Sequence, residues 1–183
     1  AGPTTPAGDG AGARYWSEAR SVRGVDVVLA IDDSASMSEE MEAVKDVLRA
    51  FLADVAASVA SGGRAPVVQL ISFGDVVTYH ITTDDVAALR AAVEALDADG
   101  GGDEPEVSDL ALDIASEAVR RDGVIILATD APAKGVVDMG KVLQRLVDKQ
   151  VTVFSLISLD GGGGGGAGSG SLLAAPGGGG GDT

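Results

Sequence analysis

Asp32-Asp33-Ser34-Ala35-Ser36 brings carboxylates and hydroxyls together directly after an apolar run, residues 25–31 (VDVVLAI). These are hard oxygen donors, suited to Mg²⁺ or Ca²⁺ and poor for softer metals. Neutral hydroxyls next to an ion, with carboxylates set behind water, leave it electrophilic and open to an acidic group from outside. The same residues have a plainer use. Ser36 followed by Glu39 fits a helix capping box, and Asp32 fits a turn. Two further segments carry similar donors: Asp130 ends the apolar run at residues 124–129, and an acidic, glycine-rich loop occupies residues 99–106.

Other chemistries lack their residues. The chain has no cysteine, so thiolate nucleophiles, zinc–thiolate sites and disulfides are absent. Its one histidine, His80, falls on an expected strand far from the acidic turn, and reads as a surface or packing residue. No P-loop or GxGxxG fingerprint is present, which argues against nucleotide binding. Asp32-Asp33 beside Mg²⁺ could serve phosphoryl transfer. However, a dehalogenase-type phosphatase needs Asp-x-Asp, and a receiver domain needs a lysine that residues 155–160 do not supply. The expectation is a binding module, not an enzyme.

The surrounding pattern alternates between strand and helix. Residues 25–31 and 124–129 read as buried parallel strands, and residues 151–158 as a further strand. Met41, Val44, Leu48, Phe51, Leu52 and Val55 recur at helical spacing in a long helix closed by Gly62-Gly63. Residues 67–73 and 76–82 form an antiparallel hairpin about Gly74-Asp75, with the second strand at the sheet edge. Helices are expected over residues 84–96, from the acidic loop to about 119, and over 137–149. Arg120-Arg121-Asp122 then reads as a solvated helix end. This order implies an α/β fold: a doubly wound, mainly parallel sheet with one antiparallel edge strand and helices on both faces. Ligands in such sheets bind at the carboxyl ends of the strands, which singles out residues 32–36, 101–103 and 130.

The flanks differ in kind. Residues 1–20 read as a disordered leader, 21–160 as the domain, and 161–183 as a Gly-rich low-complexity tail around Leu172-Leu173-Ala174-Ala175. Tyr15 and Trp16 read as local packing before the first strand. A start at Ala1, without a basic-then-apolar leader, is expected of a processed product or a piece of a longer protein. No apolar run reaches the roughly 20 residues that span a bilayer. The net charge of −15 repels phosphate backbones and anionic membranes, and favours cations or basic protein patches. The charge leaves a divalent cation or a basic patch on a protein partner as the expectation, with no nucleic acid and no membrane insertion.

Asp32-x-Ser34-x-Ser36 followed by Met37 resembles the metal-ion-dependent adhesion site of the von Willebrand factor A family. That family's final acid is matched by Thr129-Asp130-Ala131-Pro132. The loop Gly100-Gly101-Gly102-Asp103-Glu104-Pro105-Glu106 looks like that of the hemicentin-like branch, many of whose members are extracellular. The resemblance covers about residues 25–158. It implies six helices and one Mg²⁺ at the top face, with Ca²⁺ or Mn²⁺ as alternatives. By analogy, Ser34 and Ser36 bind the ion directly and Asp32 and Asp130 through water, while a partner's Glu or Asp completes the shell. The chain departs from the family at two places. Gly102 stands where most members have a metal-binding Thr, so Asp103 either substitutes as a donor or caps the next helix. Beyond Leu159, glycines replace a closing helix, and an uncovered apolar sheet face would be a docking or aggregation surface. The alternative function is an interaction domain with a degenerate, metal-free site.

Overall fold

β1 (Val25–Asp32) is buried along nearly its whole length, and all six residues of β2 (Val68–Phe73) are buried. A strand covered on both faces needs apolar residues at every position, which explains the continuous runs. The computed structural model describes residues 24–101 and 105–157. The remaining strands are β3 (Val77–Thr83), β4 (Val119–Thr129) and β5 (Thr152–Ile157). The helices are α1 (Met41–Ala60), α2 (Val86–Glu94), α3 (Ser108–Ala118) and α4 (Met139–Lys149).

The sheet order is β3-β2-β1-β4-β5. β1 lies parallel to β2 and to β4, β4 parallel to β5, and only β3 is antiparallel, at the edge. From β1 the chain builds outward first one way and then the other. The switch point therefore lies between β1 and β4, where their carboxyl ends stand side by side. Ile31 pairs with Ala128 there, which sets Asp32 beside Thr129.

Helices cover both faces. On one, the α1 stripe Met41, Val44, Leu48 and Leu52 packs with Leu89 and Val93 of α2 over Val27, Leu29, Ile31, Val68 and Leu70. On the other, Ala111 and Ala115 of α3 and Val142 and Leu146 of α4 close over Val28, Ala30, Ile71, Phe73 and Ile125. The first face thins toward β5, where Val124, Ile126 and Leu156 are only partly buried and Phe154 is 42% exposed.

Several expectations change. Residues 120–122 are not a helix end: α3 stops at Ala118 and β4 begins at Val119. Tertiary pairing decides this, because Arg120 pairs with Asp26 and Arg121 donates to Gln150 Oε1 at 2.9 Å. The irregular register between Val25 and Val27 and the left-handed Asp122 (φ 58) absorb the bend. The Ser36–Glu39 capping box does not form. Residues Ala35–Ser38 make a 3-10 turn, and α1 has Glu40 at its N-cap with no side-chain cap. Three residues, not two, separate β2 from β3. Among the described residues there are four α-helices rather than six. The expectations for residues 1–20, Tyr15 and Trp16, Asp103, and the tail with residues 172–175 lie outside the described residues.

Candidate metal centre

The end of β1, the 3-10 turn and the end of β4 deliver Asp32, Ser34, Ser36 and Asp130 to one place. Asp32 is fully buried. Its Oδ1 accepts from the Ser34 N–H at 3.0 Å and its Oδ2 from the Thr129 hydroxyl at 2.6 Å. Ser34 Oγ lies 2.9 Å from Ser36 Oγ, and Ser36 donates to Asp130 Oδ1 at 3.1 Å. Residues 94 positions apart in sequence thus share one run of oxygen atoms.

Burial pushes the Asp32 carboxyl above its ordinary value, with the neighbouring Asp130 adding to the effect against hydrogen bonds from Ser34 and Thr129. Among the described residues, no Lys or Arg forms an ion pair with Asp32 or Asp130. Two converging carboxylates without a countercharge, joined by hydroxyls, fit a hard cation. The described residues contain no cluster of three or more His, Cys, Asp or Glu that could hold a metal. Any ion here would rest on hydroxyls as much as on carboxylates.

The middle loop runs against Ser34. Ala35 N donates to Gly100 O at 2.8 Å, and Gly100 N donates to Asp33 O at 2.9 Å. Gly101 has φ +71, and a Cβ there would come within 3.2 Å of Ser34 Cβ and 3.0 Å of Glu106 Oε1. Only glycine satisfies both the backbone and the close approach. Asp103 lies outside the described residues, so its placement is not part of this geometry. The α3 N-cap is Val107, with no side-chain cap, so Glu106 does not hold the capping position. Glu106, only 2% exposed, instead links loops through its backbone, donating to Pro132 O and accepting from Lys134 N.

Three contributors have a role that the sequence did not assign. Thr129 holds Asp32, and its place at the end of a parallel strand beside β1 was the available signal. Asp109 of α3 accepts from Val136 N at 2.5 Å and Val137 N at 3.1 Å, anchoring the segment after Asp130. The third is a correction: His80 is not remote from the acidic turn. Its Nε2 lies 2.8 Å from Ser72 Oγ, which donates to Asp33 Oδ2 at 2.6 Å. Burial lowers the His80 pKa, opposed by Asp33. The register of the β2–β3 hairpin, irregular between Leu70 and Ile71, makes this contact, and periodicity carried no sign of it.

An open, doubly wound sheet with oxygen donors converging at the carboxyl ends of its switch-point strands defines a class of α/β ligand-binding domains. The chain belongs to the von Willebrand factor A domain family, whose model matches residues 26–163. Solved structures similar to it include proximal thread matrix protein 1 from the mussel byssus. That match has 16% identity, a TM-score of 0.53, and coverage of 73% of this chain and 37% of that one. A second structure of the same protein, with a zinc-occupied MIDAS motif, matches at 13% identity and TM-score 0.52, covering 73% and 38%. At such identities the likeness establishes the fold, and this chain spans well under half of those chains. No curated protein matches.

Proposed function

We propose that this domain binds a protein partner through a divalent cation, Mg²⁺ by preference, held by Ser34 and Ser36 with Asp32 and Asp130 behind them. The observation that carries this reading is the buried Asp32, with no ion-pair partner among the described residues, joined to the Ser34–Ser36–Asp130 hydrogen-bond run. A bound ion supplies a Lewis-acidic point at the domain surface. There it takes an exposed carboxylate of the partner, while the domain's negative charge selects against nucleic acid. The zinc-occupied motif of the mussel protein supports a divalent ion without selecting Mg²⁺. Binding is favoured over catalysis because Ser72, the serine bonded to His80, is fully buried and offers no nucleophile to a substrate. The second reading is a metal-free interaction domain, favoured by Gly102 standing where the family usually has Thr.

Calorimetric titration with Mg²⁺ and Mn²⁺, on the wild type and on Asp32→Ala, decides between these readings. Saturable binding that disappears in a folded Asp32→Ala supports the cation-dependent module. No heat up to millimolar ion selects the metal-free domain.

A further inference from the structure

Asp33 stands between two residues of the proposed cation site, yet its carboxylate serves other neighbours. Its Oδ2 accepts from Ser72 on β2. Its Oδ1 sits where a Cβ at Gly100 would meet it at 2.9 Å, and one at Gly74 at 3.4 Å. The backbone is tied as well: Asp33 N donates to Phe73 O at 2.9 Å, and Asp33 O accepts from Gly100 N at 2.9 Å. One residue thus locks the loop after β1 to the end of β2 and to the middle loop.

The proton count along this contact is determined. A serine hydroxyl has one hydrogen, and at Ser72 it goes to Asp33. Ser72 Oγ can then only accept from His80, so His80 Nε2 carries the proton. Ser72 has no exposed surface, whereas His80 sits on the accessible edge strand. The hydrogen bonds run inward, from the surface to the cation loop.

We propose that Ser72 and His80 are positioning residues for the cation site, a hydrogen-bonded relay that holds Asp33 and thereby the spacing of Asp32 and Ser34. This rests on the cation reading above. Groups behind the ligands of a metal commonly set its affinity by orienting those ligands, and their loss costs about 10–100-fold. A sheet alone would be served by an apolar side chain at position 72. The polar relay occurs where β2 meets the loops of the site.

The test combines Mg²⁺ calorimetry with ¹⁵N NMR of the imidazole ring. The variants are Ser72→Ala, His80→Leu and His80→Gln, the last keeping an N–H donor near the Nε2 position. The wild-type ring is expected as the Nε2–H tautomer. Ser72→Ala and His80→Leu are expected to bind Mg²⁺ about tenfold more weakly, while His80→Gln stays within about twofold of wild type. Circular dichroism confirms folding, and accessible His80 keeps the test available if Ser72→Ala does not fold. A ring protonated on Nδ1 alone overturns the relay, with or without metal. So does a wild type that binds Mg²⁺ no better than His80→Leu. A wild type that binds neither Mg²⁺ nor Mn²⁺ overturns the cation reading and the relay together.

Discussion

A carboxylate at Asp32 with no exposed surface has lost its water, and two hydrogen bonds replace only part of it. Its pKa in the folded state is raised, chiefly by burial. The folded domain therefore holds this proton more tightly than the unfolded chain does. The resulting stability is fully present below the ordinary value of 3.8 and is lost as pH rises through the raised one. Above that raised value the metal-free domain bears the cost of the buried charge. Asp32→Asn is accordingly expected to melt higher than wild type at pH 7 in chelator, and to lose any stabilisation by Mg²⁺. Thermal melts with and without Mg²⁺ measure both effects, and an Asn variant that melts lower in chelator contradicts the argument. Thr129→Val removes one acceptor–donor pair from the same carboxylate. It should cost about 1 kcal/mol in denaturant unfolding and weaken Mg²⁺ binding by at least about tenfold.

Among the elements, α3 does more than cover the sheet. Asp109 in its first turn is 3% exposed and accepts two backbone N–H groups from the segment that follows Asp130. Asp109→Ala takes the side-chain acceptor from those part-buried donors, with an expected loss of about 1–2 kcal/mol. Hydrogen exchange should show residues 133–138 opening before the sheet does. Uniform protection loss would mean that Asp109 acts on the whole core instead. At the other end of the sheet, Asp26 joins β1 to β4 and to the chain entering β2. Burial raises its carboxyl, but the Val67 N–H at 2.6 Å and the Arg120 and Arg64 guanidinium groups outweigh that and leave it below its ordinary value. Its contribution is therefore present above the unfolded value and is lost as pH falls through the folded one. Asp26→Asn should flatten the acid limb of the stability profile by about 1 kcal/mol, read from denaturant midpoints as pH falls from about 5, through the ordinary value of 3.8, to about 2. An acid limb of wild-type steepness would show that other carboxylates dominate it.

For the whole molecule, 28 acidic against 13 basic residues makes self-repulsion a global term. Salt at about 0.5 M screens charges beyond a few ångströms, so the melting temperature should rise by several degrees from low salt to high. A fall would mean that local pairs such as Lys134–Asp75 and Arg145–Asp113 outweigh the repulsion.

The sequence by itself determined the architecture. The fully buried β2, the nearly buried β1 and the largely apolar second half of β4 are covered on both faces, and the amphipathic helices between them leave few other topologies. It also determined which residues would meet: oxygen donors placed just after parallel strands come together at their carboxyl ends, as Asp32, Ser34, Ser36 and Asp130 do. Periodicity reports only which face a residue takes, not which residue of another element it touches. Only the tertiary structure could decide that Arg120 leaves the helix for Asp26, and that Asp109 anchors a loop 27 positions away. His80 reaches the cation loop for the same reason. Its contact depends on the register of two paired strands, and an irregularity of one residue there moves a side chain to the opposite face.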